Sequence, residues 1–146
     1  MNADVNRENA SDEALVFALL EAAARVELRL DRLLSNTRGI SFREYQLIRA
    51  LSRLYDGSAT RVELAGAVGL TPSAVTRALK PIEKLGYVVT QKSARDARRS
   101  LAELTPAGRE LLADAQGAVD DAIADLGLEH LDVPALATAL RAVGRD

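Results

Sequence analysis

Residues 71–108 read Thr-Pro-Ser-Ala-Val-Thr-Arg-Ala-Leu-Lys-Pro-Ile-Glu-Lys-Leu-Gly-Tyr-Val-Val-Thr-Gln-Lys-Ser-Ala-Arg-Asp-Ala-Arg-Arg-Ser-Leu-Ala-Glu-Leu-Thr-Pro-Ala-Gly. Thr71 and Pro72 are an N-cap and first helical residue, and Gly86 is a stop, so a helix is expected between them. Val75, Leu79, Ile82 and Leu85 fall on one face of it, with Ala78 alongside. Ser73, Thr76, Arg77, Lys80 and Lys84 fall on the other. Pro81 lacks the N–H that would bond the carbonyl of Arg77 and favours a kink. The amphipathic register nevertheless continues to Leu85. Tyr87-Val88-Val89-Thr90 reads as a strand and Ser100-Leu101-Ala102-Glu103-Leu104 as its partner. The basic segment 91–99 joins them, and Thr105-Pro106 opens a new helix.

Working outward, Thr60-Arg61-Val62-Glu63 is a capping box that opens a short helix closed by Gly69. Two short helices joined by Gly69-Leu70 have helix-turn-helix spacing, and the hairpin after them makes a wing. Upstream, Ser41-Phe42-Arg43-Glu44 is a second capping box, starting a helix to about Leu54. Ser11, followed by Asp12 and Glu13, marks a helix to about Leu34. Its stripe Leu15, Leu19, Ala23, Val26, Leu30 and Leu33, with Val16, Leu20, Ala24 and Leu28 beside it, predicts burial on two sides. Downstream, Leu112, Ala115, Val119, Ala122 and Leu126 alternate by three and four along a fifth helix, a helix–helix seam. Asp132 caps a sixth, which holds Leu136, Leu140 and Val143. The fold class is mainly α with a small β-hairpin wing: a winged helix-turn-helix core plus N- and C-terminal helices.

Composition narrows the function. The chain has 146 residues, 48% apolar and 27% charged, with 3% aromatics, which suits one helix-rich domain. No apolar run approaches a membrane span and no signal-peptide pattern is present, so the expected location is the cytoplasm. There is no cysteine, and His130 is the single histidine, so thiolate and multi-histidine metal sites within one chain are ruled out. No cofactor motif and no Ser-His-Asp set with recognised spacing is present, and the protein is read as no enzyme. Net charge is −2, but residues 71–100 hold seven cations against Glu83 and Asp96, so they carry +5 and the other 116 residues −7. A cationic module on an acidic body orients approach to a polyanion while limiting non-specific adhesion.

Such a module suits double-stranded DNA. Arg77 near the helix start can reach a guanine edge, and Thr71, Ser73 and Thr76 bases or phosphate. Lys80 and Lys84, further along, suit phosphates. In the wing, Lys92, Arg95, Arg98 and Arg99 repel one another unless an anion neutralises them, and Asp96 between arginines orients one of them. A solvated basic face and a merely soluble hairpin tip are the plainer readings of the same residues.

The stretch 71–108 resembles the winged-helix core of the MarR (multiple antibiotic resistance regulator) family. The matching elements are Thr-Pro-Ser-Ala-Val-Thr-Arg, Glu-Lys-Leu-Gly-Tyr-Val, Asp-Ala-Arg in the wing and Leu-Thr-Pro-Ala-Gly after it. The resemblance implies that Asp96 and Arg98 are the family's wing Asp-x-Arg pair, the arginine entering the minor groove and the aspartate holding it. One departure is the wing's Ser-Ala-Arg-Asp, where the family often has Asp-Pro-Arg-Asp. The resemblance further implies a homodimeric repressor on a palindromic operator, released by a small aromatic acid between its two domains. Phe17, Phe42, Arg43, Tyr45 and Arg49 lie in the helices bordering that pocket. Phe and Tyr at such positions are also ordinary core residues.

Residues 1–10 are expected to be disordered, 41–105 to form the winged-helix DNA-binding domain, and 11–40 with 106–146 a helical dimerisation region. The excess apolar surface of the first, fifth and sixth helices supports the dimer independently; closing a single-chain core is the competing account. A winged-helix module that offers its basic face to an acidic protein is the alternative function.

Overall fold

A computed structural model describes residues 2–54, 57–92, 94, 96 and 99–144, with residues 2–10 as backbone. The chain is mainly helical with one small antiparallel sheet, the fold class expected. Its elements are α1 (Asn2–Arg38), α2 (Phe42–Arg53), β1 (Ser58–Thr60), α3 (Arg61–Val68), α4 (Pro72–Lys84), β2 (Val88–Lys92), β3 (Ser100–Leu104), α5 (Pro106–Ala124) and α6 (Val133–Ala142). A 3-10 turn, Leu128–His130, precedes α6.

The helix starts follow the sequence closely because capping is local chemistry. Ser41 Oγ accepts from the Glu44 N–H at 3.1 Å while the Glu44 carboxylate accepts from the Ser41 N–H at 2.9 Å. Thr60 and Glu63 repeat the box at 3.2 and 2.7 Å. Thr71, Thr105 and Asp132 each accept from a backbone N–H three residues on. Gly69 ends α3 in the left-handed region at φ +67°, where a side chain would be strained. The α4 helix passes through Pro81 to Lys84.

Four expectations are corrected. Helix α1 extends beyond its expected limits at both ends: it begins at Asn2, not Ser11, and ends at Arg38, not near Leu34. Segment 2–10 contains no Gly or Pro to stop the helix. At the other end, Thr37 Oγ1 donates to the Leu33 carbonyl at 2.7 Å and Arg38 Nη2 to the Asp114 carbonyl at 3.2 Å. Leu85 does not join the buried stripe of α4; it is 55% exposed at the helix exit. The sheet has three strands, not two, in the order β1-β3-β2. Ser58–Thr60 pairs with β3 through Ala59 opposite Ala102, and β2 pairs with the other edge of β3 from Val88 opposite Leu104 to Lys92 opposite Ser100.

Leu34, Leu47, Ile48, Leu51, Leu64, Val75, Leu79 and Ile82 form the centre of the core, closed by Val88 and Ala102 from the sheet and Ala115 from α5. Only the second half of α1 takes part, through Leu30 and Leu34. The expected two-sided burial of its first half is absent within one chain: Leu15, Val16 and Leu20 are exposed. Helix α6 buries nothing, and Leu136, Leu140 and Val143 face outward. These side chains do not close a single-chain core.

Candidate nucleic-acid interface

Val75, Leu79 and Ile82 anchor α4 by its apolar stripe, which fixes what the opposite side presents. Thr71, Ser73, Arg77, Lys80 and Lys84 are exposed and Thr76 is half-buried. Two hydroxyls are partly committed: Thr71 Oγ1 caps the helix and lies 3.2 Å from Ser73 Oγ, and Thr76 Oγ1 donates to the Pro72 carbonyl at 3.0 Å. Arg77, Lys80, Lys84 and Lys92 have neither an ion pair nor a side-chain hydrogen bond to any described residue. The cations of the helix are therefore available to an external anion.

In the wing, the Arg99 N–H donates to the Asp96 carbonyl at 2.9 Å, closing the tip. Both residues are exposed. Arg95 and Arg98 lie outside the described residues. The carboxyl of Glu63 at the start of α3 is held below its ordinary value, first by the Thr60 backbone N–H, then by the Thr60 hydroxyl, against slight burial, with a further contribution from Arg99.

The sequence reading passed over Arg61. Its Nη1 donates to Ser100 Oγ at 2.7 Å and its Nη2 to Thr90 Oγ1 at 3.4 Å, so it touches both wing strands from the first residue of α3. Thr90 in turn donates to the Glu83 carboxylate of α4. A signal was present: an arginine in a helix's first turn opposes the dipole and needs a reason elsewhere.

The residues proposed for a ligand separate into two groups. Phe42, Tyr45 and Arg49 share a cavity of about 260 Å³ between α1, α2 and α5, with Leu30, Gln46 and Val119 among its walls. The Phe42 and Tyr45 rings stack with centroids 6.3 Å apart. Tyr45 OH donates to Gln116 Oε1 at 3.0 Å, and Gln116 Nε2 to Asp120 Oδ1 at 2.8 Å. Burial raises the Tyr45 phenol above its usual value; Arg49 opposes this, Asp120 adds to it and Arg53 opposes it. Arg43 is not among the lining residues. It pairs with Glu27 at 3.1 Å and borders a different cleft with Arg77. At 100° per residue, Phe42, Tyr45, Gln46 and Arg49 share one side of α2 and Arg43 does not. Phe17 is exposed, thirteen residues and about 20 Å of helix before Leu30, outside the cavity. His130 is exposed beside Glu129. Among the described residues no group of acidic or histidine side chains is placed to hold a metal, and no helix is long and apolar enough to cross a membrane.

Residues 38–99, from the end of α1 to the wing, match the sequence profile of the MarR family. Over that segment the chain is similar to the MarR family. The MarR family regulator Sco3205 of Streptomyces coelicolor, solved in complex with DNA, is 27% identical with a TM-score of 0.81, over 90% of this chain and 84% of that one. The transcriptional regulator BldR of Sulfolobus solfataricus shares the fold at 21% identity and a TM-score of 0.83, over 90% and 92% of the two chains. CouR of Rhodococcus jostii, solved bound to p-coumaroyl-CoA, shares it at 24% and 0.74, over 87% and 86%. No curated protein matches the sequence. The fold is that of MarR transcriptional regulators, with α3 and α4 as the helix-turn-helix and β2 and β3 as the wing.

Proposed function

We propose that this chain is a MarR family regulator, a homodimeric repressor that binds a palindromic operator in the cytoplasm and releases it when a small aromatic ligand enters the α1–α2–α5 cavity. The observation that carries the reading is the exposed cationic side of α4, on which Arg77, Lys80 and Lys84 have no partner among the described residues. Arg77, with Ser73 and Thr76, reads bases; Thr71, Lys80, Lys84 and Lys92 hold phosphates, joined by Arg95, Arg98 and Arg99 of the wing with Asp96 orienting an arginine. Residues 41–105 form the DNA-binding domain. Residues 11–40 and 106–146 form the dimerisation region, supported by the outward-facing leucines of α1 and α6. Two copies then address half-sites about 34 Å apart. For the ligand, Phe42, Tyr45 and Arg49 line a cavity that mixes aromatic and aliphatic walls with Gln116 and Asp120, and CouR was solved bound to p-coumaroyl-CoA.

Enrichment of random duplexes by the purified protein, followed by sequencing, tests the proposal. A recovered palindrome is the expected result. Enrichment of nothing above random DNA at physiological salt would overturn it and favour the alternative, a basic face that docks an acidic protein.

A further inference from the structure

The outer side of α2 borders a second cleft. Gln46, Arg49, Ala50, Arg53 and Leu54 line one side and Ala67 and Val68 of α3 the other, around about 200 Å³. No residue of α4 or the wing is among them. Gln46 and Arg49 line this cleft and the aromatic cavity alike, so the two spaces lie next to each other along α2 with these side chains between them. Each alone is smaller than the roughly 300–1,000 Å³ of ordinary ligand pockets, and only a ligand that shifts the Gln46 or Arg49 side chain would occupy both. Arg49 and Arg53 are exposed and make no side-chain hydrogen bond or ion pair to any described residue. Both fields reach the Tyr45 hydroxyl inside the aromatic cavity.

The charges also give the two spaces together a direction. At the α5 wall, Tyr45, Gln116 and Asp120 form a chain of hydrogen bonds that ends on a carboxylate. A ligand anion is repelled from that wall and drawn toward Arg49 and Arg53, with Ala50, Leu54, Ala67 and Val68 beneath to exclude water. Resting on the reading of the aromatic cavity as a ligand site, we propose that the α2–α3 cleft is its anion subsite. The ligand is an elongated amphiphile, with its aromatic end beside Phe42 and Tyr45 and a carboxylate or phosphate on Arg49 and Arg53. Such a ligand bridges α2 to α3, the helix that leads through Gly69 into α4.

Tyr45 and Arg53 are eight residues apart, about 12 Å along the helix, so length discriminates. Phenylacetate, 4-phenylbutyrate and 6-phenylhexanoate, each beside its matched alcohol, are titrated calorimetrically into the full chain and into Arg53→Gln. For the longest acid the expected advantage over its alcohol is about tenfold. Arg53→Gln should remove most of that advantage, leave the alcohols unchanged and leave phenylacetate, which reaches only Arg49, unaffected. An advantage that is missing in the wild type, or that persists in Arg53→Gln, overturns the subsite while alcohol binding keeps the cavity. If neither acids nor alcohols bind, cavity and subsite both fail. If the acids bind with the stated Arg53 dependence but do not displace operator duplex, the subsite stands and the effector role of the cavity is lost.

Discussion

Arg61 Nη1 lies 2.7 Å from Ser100 Oγ, joining the first residue of α3 to the first residue of β3. Because the same guanidinium reaches Thr90, and Thr90 donates to Glu83, one chain of polar contacts links both wing strands to α3 and α4. A two-stranded ribbon is weak by itself. Here β1 pairs with β3 on one side and Arg61 bridges the two strands near the turn end of the ribbon. The wing is thereby set relative to α4, which matters if both grip one duplex.

Replacing that guanidinium should therefore affect binding more than folding. Exposed hydrogen bonds of this kind are worth about 0.5–1.5 kcal/mol each, so Arg61→Ala is expected to weaken operator affinity about three- to tenfold. Thermal unfolding should shift little, and Arg61→Lys should recover only part of the affinity, since one ammonium does not span both hydroxyls. Affinity equal to wild type in both variants would remove the clamp.

Two glycines make opposite predictions from the same substitution. A Cβ on Gly108 would collide with the Tyr87 carbonyl oxygen and with Leu104 Cδ1, 2.6 Å away, because the chain leaving β3 turns tightly against the exit of α4. Gly108→Ala should destabilise by about 1–3 kcal/mol or more. A Cβ on Gly66 in α3 meets nothing within 4 Å, so Gly66→Ala should stabilise by about 0.5–1 kcal/mol through helix propensity. Denaturant midpoints of the two variants should lie on opposite sides of wild type.

The capping box of α3 predicts a pH dependence. The Thr60 N–H and hydroxyl hold the Glu63 carboxyl below its ordinary value. A carboxyl lowered on folding stabilises above its unfolded value, and that stability is lost as pH falls through the folded value. Wild type should melt above Glu63→Gln at neutral pH, and the gap should close as pH falls through the lowered carboxyl value. Because Glu63 is exposed, the effect is small. A gap that widens on acidification would contradict the assigned cap.

How much of this was legible in the sequence depends on range. Ser41, Thr60, Thr71, Thr105 and Asp132 announced their helices because a cap and its partner lie three residues apart. Strand β1 was missed because three residues carry no periodicity, and Ala59 becomes a strand residue only when Ala102 arrives opposite it. Leu85 continued the apolar spacing of α4 one residue beyond the helix, and spacing cannot see where the core stops. Arg43 could have been set apart from Phe42, Tyr45 and Arg49 by helical rotation alone. Gln116 and Asp120 could not have been found that way, since nothing along the chain brings α5 against Tyr45.

The leucines of α6 test the dimer. Leu136, Leu140 and Val143 are 43–62% exposed although their helix is otherwise short and apolar. Burying such side chains is worth about 1.5–3 kcal/mol each. Leu136→Glu with Leu140→Glu should therefore shift a dimer to monomer in sedimentation at micromolar concentration, with helix content kept. A wild-type chain that sediments as a monomer would remove the twofold arrangement.

On DNA, Arg77 and Lys84 should behave differently although both are exposed cations of one helix. Arg77 is the sixth residue of α4, in its N-terminal half, whereas Lys84 is its last residue. A bidentate arginine–guanine pair discriminates by about 1–3 kcal/mol, so Arg77→Ala should flatten base preference at one position in each half-site. A lysine on phosphate carries no sequence information, so Lys84→Ala should weaken all duplexes alike and reduce the slope of log affinity against log salt by about one per half-site. Titrations of operator and scrambled duplex at several salt concentrations separate the two effects. The same loss from both variants on both duplexes would mean that Arg77 also rests on the backbone, and that sequence is read elsewhere.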